Sequence, residues 1–104
     1  MGGTGMSGFV QIMEIKTSRK DEVEALVERT RRERGDQMPV GRSIIAEDRD
    51  RAGYYFAIIE FDSYEEAMNN SNDPATGEFA EQLGVLLDGL PKFYNLDVLQ
   101  VMDR

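Results

Sequence analysis

Two spacings of apolar residues alternate along this chain. The run FVQIMEI at residues 9–15 is rich in β-formers and too short for a helix, so it is predicted as a first strand. The spacing then lengthens. Val23, Leu26, Val27 and Thr30 recur at about 3.6 residues among charged neighbours, the stripe of an amphipathic helix. Thr17-Ser18 is expected to cap it, with Asp21 three places after Ser18, where a carboxylate meets the free amides. Arg29, Arg31, Arg32 and Arg34 fill the last turns, the favourable end for cations, and Gly35 supplies the stop. Val40 to Glu47 reads as a second strand, Asp48 to Gly53 as a hairpin loop, and Tyr54 to Phe61 as a third strand.

Ser63 and Glu66 form a capping box that opens a short helix, which the polar run Asn69 to Asn72 is expected to break. Asp73 before Pro74 restarts a helix, with Asp as cap and Pro at the first helical position. Phe79, Ala80, Leu83, Leu86, Leu87 and Leu90 make its predicted buried stripe, ended by Gly89 and Pro91. Phe93 to Met102 is the last predicted strand. The order βαββαβ predicts an α+β, ferredoxin-like domain over residues 9–104: one four-stranded antiparallel sheet with its helices on one face. The Gly-rich residues 1–8 are expected to form a flexible tail.

Helices on one side demand strands that alternate, apolar inward and polar outward. The third strand does not. Tyr54, Phe56 and Ile58 share one face, while Tyr55, Ala57, Ile59 and Phe61 share the other. The fourth repeats this, with Tyr94, Leu96 and Val98 opposite Phe93, Leu99 and Val101. A second apolar face needs cover, and the economical cover is another copy of the same sheet. Tyr54, Phe56, Ile58 and Glu60 are the candidate residues of that homodimer seam.

Composition narrows the chemistry. The 104 residues contain no Cys, His or Trp, which removes thiol nucleophiles, disulfides, thiolate metal sites and imidazole acid–base catalysis. Twelve basic against 20 acidic residues leave a net charge of −8, which argues against a nucleic-acid surface. No apolar run approaches the ~18 residues of a membrane span, and no basic-then-apolar leader opens the chain, so a cytoplasmic location without membrane contact is expected. Neither metal-ligand spacing nor a phosphate-cradling glycine loop is present.

The stretch from Phe56 to Met68, FAIIEFDSYEEAM, followed by Asp73-Pro74, Phe79, Leu83 and Phe93, resembles the dimeric α+β barrel proteins, nearest the antibiotic-biosynthesis monooxygenase-like group. The resemblance spans residues 9–102. It implies two ferredoxin-like protomers packed sheet to sheet, each with a pocket between its own sheet and helices. Members include cofactor-free oxygenases of aromatics and quinols, haem-degrading enzymes and proteins without known activity. Where active members carry an aromatic or imidazole side chain after the third strand, this chain has Asn70 or Ser71. Haem degradation needs a His ligand and a Trp that the composition lacks, so no cofactor is expected.

On that reading Tyr55, Ala57, Ile59, Phe79 and Leu83 line the pocket, while Asn69, Asn70 or Arg42 fixes one polar substituent of a flat, mostly apolar ligand. Asn69 and Asn70 equally suit a helix end, and Arg42 equally suits a salt bridge. Glu60, Asn95 and Asp97 stand out as polar side chains within apolar strands. A carboxylate so placed is either a general base or a seam residue paired with Arg42 or Lys92. No catalytic residue follows from the sequence. Two functions remain: a cofactor-independent monooxygenase acting on a small aromatic or quinol, and a non-catalytic dimer that binds a small ligand or serves as an interaction module.

Overall fold

The computed structural model of the chain describes residues 8–35 and 42–102. Most of the expected N-terminal tail and the first two residues of the predicted second strand, Val40 and Gly41, lie outside the described residues. The elements run β1 (Phe9–Lys16), α1 (Lys20–Arg34), β2 (Arg42–Glu47), β3 (Tyr54–Phe61), α2 (Tyr64–Ser71), α3 (Pro74–Leu86) and β4 (Lys92–Asp97). The sheet is antiparallel throughout, in the order β2-β3-β1-β4. This is the predicted ferredoxin-like arrangement.

Caps fix the helix starts. Ser63 Oγ accepts the amide of Glu66 at 3.1 Å and opens α2, and Asp73 Oδ1 accepts that of Ala75 at 2.9 Å with Pro74 beginning α3. The start of α1 differs from expectation. Its cap position is Arg19, without a side-chain cap, and it is Thr17 whose Oγ1 accepts the Arg19 amide at 2.9 Å. The same hydroxyl donates to the Leu86 carbonyl at 2.7 Å, tying the end of β1 to the end of α3. Thr17 is therefore buried, where the sequence offered it only as a cap. Gly35, at φ 51°, ends α1 in the left-handed region that favours glycine.

Three boundaries correct the sequence reading. The asparagine run ends α2 only at its far side: the helix continues through Ser71, with Asn72 as its C-cap, because the Asn72 amide still reaches the Met68 carbonyl at 3.0 Å. Helix α3 stops at Leu86, since Leu87 is extended and the Asp88 amide turns back to the Lys16 carbonyl at 2.8 Å. Ala80 and Leu90 consequently belong to no buried stripe, and Leu90 is 97% exposed. Strand β4 ends at Asp97 rather than Met102, because β1 begins at Phe9 and the Val98 amide takes the last rung, on Gly8.

The core lies between sheet and helices. Phe9, Phe61 and Ala67 form its centre beneath α2, with Ile59 and Met68 packed against them. Ile15 on β1, Leu26 on α1 and Leu83 on α3 are also buried. Helices α1 and α3 pack on each other, and α2 comes closest to the sheet.

Candidate functional site

The register sorts every strand residue to one of two faces. Phe9 opposes Phe61 and Asp97, and Met13 opposes Ala57 and Phe93, so these side chains share the helix-facing side. Ile45 joins them through its pairing with Ala57. Two rows cross the sheet there. One reads Ile45, Ala57, Met13, Phe93, and the next reads Ser43, Ile59, Gln11, Asn95. The layer is filled at its two ends, where Phe9 and Ile15 are 3% and 7% exposed, but Gln11, Met13 and Ala57 between them are only half-buried. The flanks stay open too, with Ile45 58% and Phe93 53% exposed on the same side.

Tyr55, Ala57 and Ile59 stand on this floor, and Leu83 is buried on α3 one turn after half-buried Phe79. Asn69 is exposed on α2. Asn70 is half-buried, and its Oδ1 accepts the Thr76 hydroxyl at 3.3 Å. That hydroxyl in turn accepts from Arg34 Nη1, while Arg34 Nη2 meets Asp73 Oδ2, both at 3.4 Å. Arg34 read in sequence as one of four arginines filling the last turns of the first helix. Its side chain is only 13% exposed and staples the end of α1 to the α2–α3 corner. Nothing in its spacing separates it from Arg31 and Arg32.

Arg42 stands apart from the other pocket candidates. It lies on the face turned away from the helices, where Nη2 and Nε donate to Glu60 Oε2 at 2.8 and 3.2 Å. That carboxylate raises the Arg42 pKa further, so the charge is fixed. Glu60 thus pairs within its own chain. Asn95 and Asp97, offered for the seam, stand instead on the helix-facing side. Gln11 was not singled out in sequence, because one amide within a β-rich run gives no signal until the register shows which way it faces.

The outer face carries Ile44, Ala46, Phe56, Ile58, Val10, Ile12, Tyr94 and Leu96 as one apolar surface, with Tyr54 at one end and Glu60 at the other. Near Tyr54 it becomes polar. Tyr94 donates to Glu14 Oε1 at 3.0 Å, Arg51 reaches Glu14 Oε2 at 3.6 Å, and the Arg51 guanidinium stacks 4.0 Å above the Tyr54 ring.

Two recesses open elsewhere. One of about 620 Å³ lies at the β2–β3 hairpin against Glu47, Asp48, Arg49, Asp50 and Ala52. The other, about 350 Å³, runs between α1 and α3, where Arg29 donates to Gln82 at 3.1 Å. Among the described residues, no group of three or more Asp and Glu side chains is placed to hold a metal, and no helix is long and apolar enough to cross a membrane.

No protein-family model matches the chain, and no curated protein does. Solved structures do match. A variant of SnoaB, a cofactor-independent oxygenase from Streptomyces nogalater, superposes with a TM-score of 0.79 at 16% identity, covering 94% of this chain and 99% of that one. A conserved protein from Methanosarcina mazei gives 0.79 at 9% identity, over 93% and 98% of the two chains. A protein assigned as an antibiotic biosynthesis monooxygenase from Caulobacter crescentus gives 0.78 at 11% identity, over 93% and 94%. The chain therefore has the ferredoxin-like α+β fold found in antibiotic biosynthesis monooxygenase-like structures.

Proposed function

We propose that the chain binds a small, flat, mostly apolar molecule between its sheet and its helices and oxygenates it without a cofactor. The observation that carries the reading is the half-buried middle of that layer, where Met13 and Ala57 lie between the buried Phe9 and Ile15. A floor of Ile45, Ala57 and Met13 offers apolar area and little that is charged, which suits an aromatic or quinol-type ring. In cofactor-free oxygenation the deprotonated substrate is itself the reductant of dioxygen, so the protein's work is to bind, orient and exclude water. The SnoaB structure, a cofactor-independent oxygenase of the same fold, supports the reaction class by analogy.

The second apolar face fits a homodimer joined sheet to sheet, with Tyr54, Phe56, Ile58 and Glu60 in the seam. A second reading, a binding protein without chemistry, is favoured by one observation: Gln11, Met13, Ala57 and Ile59 in the middle of the layer carry no acid or base, and Tyr55 and Asp97 stand at its ends beside Ile15 and Phe9. A panel of hydroxylated aromatics and quinols, screened by thermal shift and then by oxygen uptake without added flavin or metal, separates the two. Stabilisation with oxygen consumption is the expected result. Stabilisation without consumption establishes the binder, and no stabilisation by any compound removes the pocket.

A further inference from the structure

We propose that Gln11 and Asn95 form the polar anchor of this pocket, gripping a flat ligand by an edge that carries a carbonyl beside an N–H or O–H. The assignment rests on the pocket reading above. Gln11 is the anomaly of the inner face. It sits on a central strand between Phe9 and Met13, on the side where a core residue belongs. The residue is half-buried and its pairing is open to solvent, so its remaining polar groups stay within reach of a ligand. Its Nε2 donates to Asn95 Oδ1 at 3.0 Å across the β1–β4 register. That bond uses one end of each amide. A glutamine has one acceptor oxygen and two N–H donors, so Gln11 Oε1 and Asn95 Nδ2 retain opposite hydrogen-bonding characters in adjacent strands.

The apolar row lies two residues along the strands from the amide row, about 6.7 Å. A ring resting on Met13 and Phe93 therefore brings its substituted edge over Gln11 and Asn95. The open flank at Phe93, 53% exposed, is where such a molecule enters. The ligand class is one with donor and acceptor side by side, such as a cyclic amide or an enolised dicarbonyl, because a lone carbonyl satisfies only half of the pair. A purely structural cross-strand amide pair predicts no preference among ligands of equal shape.

Fluorescence titration of the full chain with 2-quinolone and with N-methyl-2-quinolone tests this directly, since the two share a ring and a carbonyl and differ in the donor. The unmodified protein is expected to bind 2-quinolone about fivefold more tightly, the worth of one hydrogen bond. Gln11→Met should abolish that preference, because it removes the acceptor for the probe's N–H. Asn95→Leu should instead weaken both probes by a similar factor of about five, since both carry the carbonyl that Asn95 Nδ2 serves. Asn95 is exposed, so its variant keeps the test sound should Gln11→Met fail to fold by circular dichroism. Equal binding of the two probes by the unmodified protein, a preference that survives in Gln11→Met, or unchanged affinity for both probes in Asn95→Leu overturns the anchor and leaves the pocket standing. Binding of neither probe overturns both.

Discussion

Replacing Ile58 with Asp sets a carboxylate in the most apolar row of the outer sheet face, which reads Ile44, Ile58, Ile12, Tyr94. Four strands about 4.8 Å apart and about 24 Å long present roughly 450 Å² of flat area, or some 900 Å² for two apposed faces before side-chain relief is added. That approaches the ~1,000 Å² at which specific interfaces begin. At ~25 cal/mol per Å² the gross gain is on the order of 20 kcal/mol, against an association cost of about 4–15 kcal/mol. The surplus, about 7–18 kcal/mol, places the dimer at micromolar dissociation constants or tighter. Ile58→Asp forfeits about 1.5–3 kcal/mol of burial and adds several kcal/mol for an unpaired carboxylate, so dimerisation should weaken by about a thousandfold or more. Sedimentation equilibrium at about 100 µM should then show a dimer for the unmodified protein and a monomer for the variant. Circular dichroism should report the same fold for both, because Ile58 is only half-buried within its own chain. A monomeric unmodified protein at that concentration, or an undiminished dimer of the variant, refutes the reasoning.

Two further outcomes follow from single side chains. Thr17→Val keeps the shape of a buried residue but strands the Leu86 carbonyl and the Arg19 amide, so it should cost about 1–3 kcal/mol in urea unfolding, and a loss below a few tenths would show that water replaces the hydroxyl. Asp48 has its pKa lowered, first by the backbone amide of Asp50 and then by Arg51, so its folded value lies below its unfolded one. Its contribution is present above the ordinary carboxylate range and fades as acid protonates it. The stability difference between unmodified protein and Asp48→Asn should be flat at neutral pH and vanish below about pH 4, and a difference that grows in acid would invert the sign.

Local signals proved most legible where the chain supplies its own partners. Strand β3 runs from Tyr54 to Phe61 as predicted, because a turn precedes it and the Ser63 cap follows it. Legibility failed where a distant residue decides. The asparagines of α2 looked like breakers, yet Asn70 spends its side-chain oxygen on Thr76 instead of competing for its own backbone. The stretch after Asp97 has the residues of a strand but, among the described residues, no ladder partner beyond the Val98 amide's bond to Gly8, and Leu99 is 89% exposed. The faces of the strands divided in the same way. That Tyr55, Ala57 and Ile59 share one face followed from period two alone, whereas placing Arg42 and Gln11 required knowing which face of a neighbouring strand each one joins.

That register has a consequence for how the gene tolerates change. Every pairing in the sheet joins odd to odd and even to even, as in Phe9 with Phe61, Ser43 with Ile59 and Gln11 with Asn95. Odd-numbered strand positions all face the helices, and even-numbered ones all face outward. One stretch of codons thus carries two interleaved texts. A mutational scan of β3 scored by ligand binding should read as a comb with teeth at alternate codons, and the same scan scored by self-association as the complementary comb. A one-codon deletion within β3 would exchange the two texts from that point on, a lesion worse than any single substitution there.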